Sequence, residues 1–223
     1  MQLSETIYTR RSIHEFEKYE MSMQEVNAIL EAGTYAPSAK NRQPWFFHIL
    51  CNDQSKTEFM ESMKNGILKL EQRYRQKKIP RPDIERAKGT LKSMSNASAI
   101  ILISCQKKYT NIYEDGVSWS LSAKDIEVTD ILSIGAAIQN ILLKATDMGY
   151  GTLWVCDIFY AYPQIVEFLH TKDDIISAVC IGKTKHYPHN FSRLPLEKVS
   201  SVIQSKEKSR AYEPYILDGN TKI

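Results

Sequence analysis

Apolar positions along the chain fall into short unbroken runs separated by longer stretches with helical spacing. Residues 3–10 fit a short opening helix. Ser22-Met23-Gln24-Glu25 has the pattern of a capping box, a hydroxyl followed three residues later by a glutamate. It opens a helix with Val26, Ile29 and Leu30 on one face, closing near Gly33. Pro44 to Cys51 is aromatic and branched, which predicts a strand. Residues 54–72 and 82–96 read as charged amphipathic helices, parted by the breaker stretch Lys77-Lys78-Ile79-Pro80-Arg81-Pro82. Ala97 to Cys105 reads as a buried strand. The longest predicted helix runs from Ile126 to Met148, with Ile131, Ile134, Ile138, Ile141 and Leu142 on its apolar face. Gly135-Ala136-Ala137 in its middle offers room for a second helix. Gly149-Tyr150-Gly151 stops it. A strand from Thr152 to Cys156, a helix from Tyr162 to His170 and a strand from Ile175 to Gly182 follow, and the tail from about Ser200 is poor in apolar residues.

Four apolar strands interleaved with helices predict an α+β sandwich, with no sign of a doubly wound dinucleotide fold. No Gly-x-Gly-x-x-Gly follows a strand and no Gly-x-x-x-x-Gly-Lys occurs. A bound nucleotide must therefore be held by discrete side chains. The polar connection from Gln106 to Lys124 is long enough to serve as a cover over a site, with Tyr109, Tyr113 and Trp119 as its aromatic residues.

The 223 residues suffice for one sizeable core, and 43% hydrophobic with 25% charged residues is ordinary for a globular domain. A net charge of +3, spread along the chain, gives no footprint for a nucleic-acid partner. No run reaches the roughly 20 apolar residues of a membrane span. The N-terminal residues lack a basic segment followed by an apolar one, so the cytoplasm is the expected location. Cys51, Cys105 and Cys180 each end an apolar run, without Cys-x-x-Cys or histidine at metal-ligand spacing, and are expected to be buried thiols.

Two stretches carry the chemistry. Arg10-Arg11-Ser12 places two guanidinium groups and a hydroxyl side by side at the end of the opening helix, a receptor for a phosphate monoester. Ala36-Pro37-Ser38-Ala39-Lys40-Asn41-Arg42-Gln43-Pro44-Trp45 is a turn-rich, helix-ending stretch that runs directly into a strand. Further anchors are Gly135 to Leu143, Gly149 to Asp157, Ile181-Gly182-Lys183 and Arg193 to Val199. Together these motifs resemble the FMN-dependent nitroreductase family over most of the chain; residues from about 54 to 125 match in layout only.

The resemblance implies a nitroreductase-like sandwich with a central, mostly antiparallel sheet flanked by helices. It implies a single domain, with a variable region at about 54–125 that shapes the substrate pocket. It also implies an intertwined homodimer with exchanged C-terminal arms from about residue 200, and two FMN sites at the interface. Tyr212, Tyr215, Ile216 and Leu217 would lie along the other subunit. Arg10, Ser12 and Arg193 would bind the FMN phosphate, with Arg11 near the phosphate or ribityl chain. Pro37, Ser38, Ala39 and Asn41 of the partner would pack on the benzenoid edge. Trp154 and Val155 would lie along the ring, and the amides of Cys156 and Asp157 would bond the hydride-accepting nitrogen and the neighbouring carbonyl oxygen. A donor at that nitrogen and positive charge at the pyrimidine edge favour the reduced ring.

Three positions depart from the family pattern. His14 stands where Arg or Lys is usual, facing the pyrimidine edge, and an imidazole titrating near about 6.5 is only partly charged. Cys156-Asp157 replaces the usual Gly or Glu-Gly, and an acid facing a reduced ring is unfavourable, so Asp157 is expected to point away or to cap the next segment. Phe191 stands where a basic residue is frequent; Lys183 supplies that charge or is a solvated surface lysine. No nucleophile with an adjacent base and no metal-spaced cluster stands out, so no catalytic side chain is expected. The resemblance implies an oxidoreductase in which NADH or NADPH reduces FMN, and nitro compounds or quinones reoxidise it in a ping-pong cycle. The alternative is a specialised flavoenzyme on the same fold (a reductive dehalogenase, an azoline oxidase or a flavin-fragmenting enzyme). A flavin-binding protein without turnover is a third reading.

Overall fold

The computed structural model describes residues 2–78, 82–106, 123–188 and 192–203. The chain divides into two units, Met1–Pro188 and His189–Ile223. In the first, α1 (Leu3–Thr9), α2 (Met23–Thr34), β1 (Trp45–Leu50), α3 (Asp53–Gln76), α4 (Pro82–Met94) and β2 (Ala99–Cys105) precede the long α5 (Ala123–Asp147). Then come β3 (Gly151–Val155), α6 (Tyr162–Leu169) and β4 (Asp174–Gly182). In the second unit, the described residues hold one short helix, α7 (Leu196–Val199), with Leu196, Val199, Val202 and Ile203 exposed. The aromatic residues of the 106–124 connection and of the tail lie outside the described residues.

The four strands form one antiparallel sheet in the order β1-β2-β4-β3. All seven residues of β2 are buried, because helices cover both faces of the sheet. On one side Ile100, Leu102, Ala178, Cys180, Leu153 and Val155 pack against α3, α4 and α6. On the other, Ile101, Ile103, Val179 and Ile181 pack against α2 and α5. Apolar burial on both faces is what makes these strands unbroken hydrophobic runs.

The capping box at Ser22 forms as expected, with Glu25 N–H donating to Ser22 Oγ and Ser22 N–H to Glu25 Oε2. Gly149, at φ +76°, stops α5 in a Schellman motif: Tyr150 N–H reaches Ala145 O and Gly149 N–H reaches Thr146 O, both at 2.9 Å. Tyr150 then donates its hydroxyl to Glu25 Oε1, tying the start of α2 to the end of α5. Lys183 lies 3.9 Å above the Tyr150 ring and donates to Gly149 O. The Tyr150 hydroxyl, followed by the Ser22 amide and hydroxyl, holds the Glu25 carboxyl down at about 2, against an ordinary 4.5. A depressed carboxyl contributes stability that is complete above its unfolded pKa and fades as pH falls through the folded one. Stability should therefore drop between about pH 4.5 and 2, and Glu25→Gln should flatten that part of a urea-midpoint profile. Parallel profiles for the two proteins would show that the pair contributes nothing.

Three expectations about α5 meet the structure differently. Ile131 is 41% exposed and does not belong to the buried face, which consists of Ile134, Ala137, Ile138, Ile141, Leu142 and Ala145. At Gly135-Ala136-Ala137 the close approach falls at Ala137: a Cβ on Gly33 of α2 would stand 3.4 Å from Ala137 O and 2.8 Å from Ile141 Cγ1, whereas among the described residues one on Gly135 meets nothing within 4 Å. Finally, Glu127–Asp147 is long and apolar enough, at a mean hydropathy of 1.3, to match a membrane span. Its C-terminal part packs between α2 and the sheet, whereas Val128, Ile131 and Leu132 nearer its start are exposed. Cys105 and Cys180 are buried as expected and burial pushes the Cys180 thiol up, whereas Cys51 is half-buried beside the Met23 sulfur.

Candidate functional site

After α1 the chain runs along the exposed edge of β3. Ser12 forms a parallel bridge to Thr152, Ile13 N–H donates to Thr152 O at 2.9 Å, and Glu17 N–H donates to Lys183 O at 2.8 Å. Ile13 and Phe16 turn into the core, and they do so over glycines. A Cβ on Gly151 would stand 2.7 Å from Ile13, and one on Gly182 would stand 2.9 Å from Phe16. With those two side chains inward, Ser12 and His14 are exposed and Arg10 and Arg11 half-buried. Arg11 is partly committed: its Nη1 donates to the Tyr8 and Arg10 carbonyls at 2.7 Å, closing the end of α1.

Residues beyond the far end of β3 meet the same neighbour. His14 Nδ1 lies 3.4 Å from Ser93 Oγ, while Thr90 Oγ1 donates to Asp157 Oδ2 at 2.6 Å. Thr90 and Ser93 are three residues apart on α4 and so share one face. That face joins the Arg10–His14 segment to the Cys156–Asp157 turn, and it turns the Asp157 carboxylate toward α4. Beside Thr90 on the same helix, a Cβ on Gly89 would meet nothing within 4 Å. Thr90 and Ser93 were missed in the sequence; the only signal was a pair of hydroxyls at helical spacing beside a helical glycine.

Trp154 faces the α5 side, 40% exposed, with its indole N–H donated to Ser177 Oγ. Val155 turns its side chain, 1% exposed, into the opposite core layer, so what it offers a ring is backbone. Cys156 is exposed and precedes a 3₁₀ turn, Asp157–Ala161. It also borders a cavity of about 800 Å³ beside α5, lined mainly by Ile131, Leu132, Gly135, Trp154 and Phe159.

The Pro37–Gln43 loop sits on another side of α5. Pro37 and Asn41 are exposed, Ser38 and Ala39 half-buried. Ala39 N–H donates to Ser133 Oγ, and Arg42 forms an ion pair with Asp130 at 2.7 Å. The Lys183 ammonium is occupied at Gly149 and Tyr150, as above. Arg193 is exposed and belongs to the second unit.

A helix-flanked antiparallel sheet, with guanidinium and hydroxyl groups at one end of an edge strand and a turn at the other, has clear relatives. The model of the Nitroreductase family matches residues 7–183, and this chain belongs to that family. A protein of Archaeoglobus fulgidus with the provisional name NADH dehydrogenase/NAD(P)H nitroreductase is 27% identical over 149 residues. That match covers 67% of this chain and 64% of the relative, so the chain spans just under two thirds of that protein's length. Among solved structures, a BluB-like flavoprotein from Clostridium difficile 630 superposes with a TM-score of 0.74 at 22% identity, covering 92% of this chain and 100% of the other. NADPH:FMN oxidoreductase from Vibrio harveyi, complexed with NAD+, superposes at 0.67 with 18% identity, covering 93% and 79%. These likenesses establish the nitroreductase fold.

Proposed function

We propose that this protein is an NAD(P)H-dependent FMN oxidoreductase that reduces electron-poor organic acceptors such as nitroaromatics and quinones, alternating donor and acceptor on one ring face. The observation that carries this reading is the single α4 face that joins the Arg10–His14 segment to the Cys156–Asp157 turn. The strand between Thr152 and Cys156 spans about 13 Å at 3.3 Å per residue. That length suits a molecule with an anionic tail at one end and a flat ring at the other. The residues present fit FMN: Arg10 and Ser12 offer charge-assisted and neutral donors to a phosphate, and Gly89 leaves open space where a side chain would intrude. Arg193 joins the phosphate set on the family resemblance alone.

When bound, FMN would supply the two-electron carrier that the side chains lack. The chain's own contribution is binding and polarity. Thr90, Ser93 and His14 would present hydroxyl and imidazole groups to the pyrimidine edge. Cys156 and Asp157 would offer backbone N–H groups, with the Asp157 carboxylate held away by Thr90. Trp154 would support the ring at the mouth of the apolar cavity, where a planar acceptor stacks. A nicotinamide donor is an intracellular metabolite, which suits a cytoplasmic enzyme. The reading is tested by reconstituting the protein with FMN and adding NADH or NADPH without oxygen. Bleaching that a nitroaromatic or quinone reverses supports it, and a flavin that neither donor bleaches overturns it.

The homodimer belongs to this proposal. Asp130 and Ser133 hold the loop on one side of α5, while Ile131 and Gly135 line the cavity on another. A loop so placed suits service to a second subunit's flavin. A variant that is monomeric by light scattering should lose FMN, and a monomer with full flavin occupancy would contradict the shared site.

His14 would bring its imidazole to the pyrimidine edge, where a permanent positive charge would favour the reduced, anionic ring. Replacing it with Arg should therefore raise the flavin's midpoint potential above that of wild type. Redox titration of both proteins decides this: equal potentials would remove His14 from the ring's electrostatics.

A further inference from the structure

We propose that Arg42 and Asp130 are positioning residues for the flavin site, because their buried ion pair holds the residue 38–43 loop in the conformation that meets the ring. The proposal rests on the reading that this loop lines a flavin. Three of the four residues from Lys40 to Gln43 have positive φ: 52° at Lys40, 54° at Asn41 and 49° at Gln43. None is glycine, so the backbone occupies a region that L side chains enter at a cost and keep only when their surroundings impose it. Bonds within the loop close the turn: Asn41 N–H to Ser38 O, Arg42 N–H to Ala39 O and Gln43 N–H to Ser38 Oγ. They do not attach it to the body of the protein.

The attachment is to α5. Arg42 donates through Nε and Nη2 to Asp130 Oδ1 at 3.0 and 2.7 Å, and through Nη2 to Thr129 Oγ1 at 2.6 Å. The Arg42 side chain is 11% exposed and that of Asp130 1%. A buried ion pair adds little net stability over apolar packing, since desolvation offsets the attraction. This one is also incompletely satisfied: Asp130 Oδ2 is buried without a hydrogen-bond partner among the described residues. Its physical advantage is conformational. A forked guanidinium bound to two adjacent residues of a rigid helix admits one loop geometry, and the same helix lines the ring-side cavity through Ile131 and Gly135.

Removing Arg42 alone strands a buried carboxylate and threatens the fold, so the deciding variant is the double substitution Arg42→Gln with Asp130→Asn; Arg42→Lys, which keeps the charge without the fork, accompanies it. The urea midpoint should stay near wild type in the double variant. Amides 39–43 should exchange about tenfold faster or more, and trypsin should cleave faster after Lys40. FMN and riboflavin should both bind about tenfold more weakly, because the loop meets the ring and not the phosphate. Arg42→Lys should recover part of the loop protection. Exchange and cleavage at wild-type rates in the folded double variant would overturn the proposal, as would a loosened loop with unchanged flavin affinity. If wild type takes up no flavin, the functional reading fails separately, and the exchange rates alone decide whether the pair is a clamp.

Discussion

Gly66→Ala should unfold at a markedly lower urea concentration than wild type, with a loss of about 1–3 kcal/mol or more. Helix propensity argues the other way, since Ala in mid-helix is favoured over Gly by roughly 1 kcal/mol. Steric contact decides the sign. A Cβ on Gly66 would stand 2.3 Å from Ala161 Cβ and 2.5 Å from Ala161 Cα, and no rotation about a side-chain bond relieves contact with a Cα. The clash falls where α3 packs on the 3₁₀ turn Asp157–Ala161. Loss of stability should therefore be accompanied by weaker flavin binding through the displaced Cys156–Asp157 backbone. Gly89→Ala is the control. Its Cβ meets nothing within 4 Å, so propensity alone should stabilise the apoprotein by about 0.5–1 kcal/mol. Equal midpoints for all three proteins would show that the α3 contact is not tight.

The second large effect concerns the phosphate. Arg10→Ala should remove charge-assisted bonds of roughly 1.5–3 kcal/mol and weaken FMN about 10- to 100-fold. Riboflavin lacks the phosphate, so it should bind wild type far more weakly and be nearly indifferent to the substitution. This pattern is opposite to the equal losses expected from loosening the loop. Equal losses for FMN and riboflavin in Arg10→Ala would assign Arg10 to the fold or the ring.

Local features of the fold were legible in the sequence because their causes are local. The capping box at Ser22 and Glu25 and the glycine stop at Gly149 each depend on a few adjacent residues, and both formed where expected. The apolar face of α5 was legible only in part. Periodicity marks Ile131 as apolar, yet it cannot say that the neighbouring surface is a cavity and not a core. The same limit applies to the glycines. Gly135-Ala136-Ala137 marked a place for a close helix, but not that α2 meets it at Ala137 through its own Gly33 and leaves Gly135 open.

The site divides along the same line. Arg10-Arg11-Ser12 is a contiguous motif and stood out, although the commitment of Arg11 to α1 carbonyls required coordinates. Thr90 and Ser93 join the site only because the sheet order brings α4 beside the end of β3, and two helical hydroxyls announce nothing by themselves. Arg42 and Asp130 are 88 residues apart, and no spacing rule connects them. Long-range pairings of this kind follow from topology, which single-sequence patterns do not encode.

The measurement that bears most directly on the central claim is a crystal structure of the protein grown with FMN. The phosphate should lie within hydrogen-bond distance of Arg10 and Ser12, and the ring's pyrimidine edge beside Thr90, Ser93 and the Cys156–Asp157 backbone. Flavin bound elsewhere, or colourless crystals at saturating FMN, would contradict it.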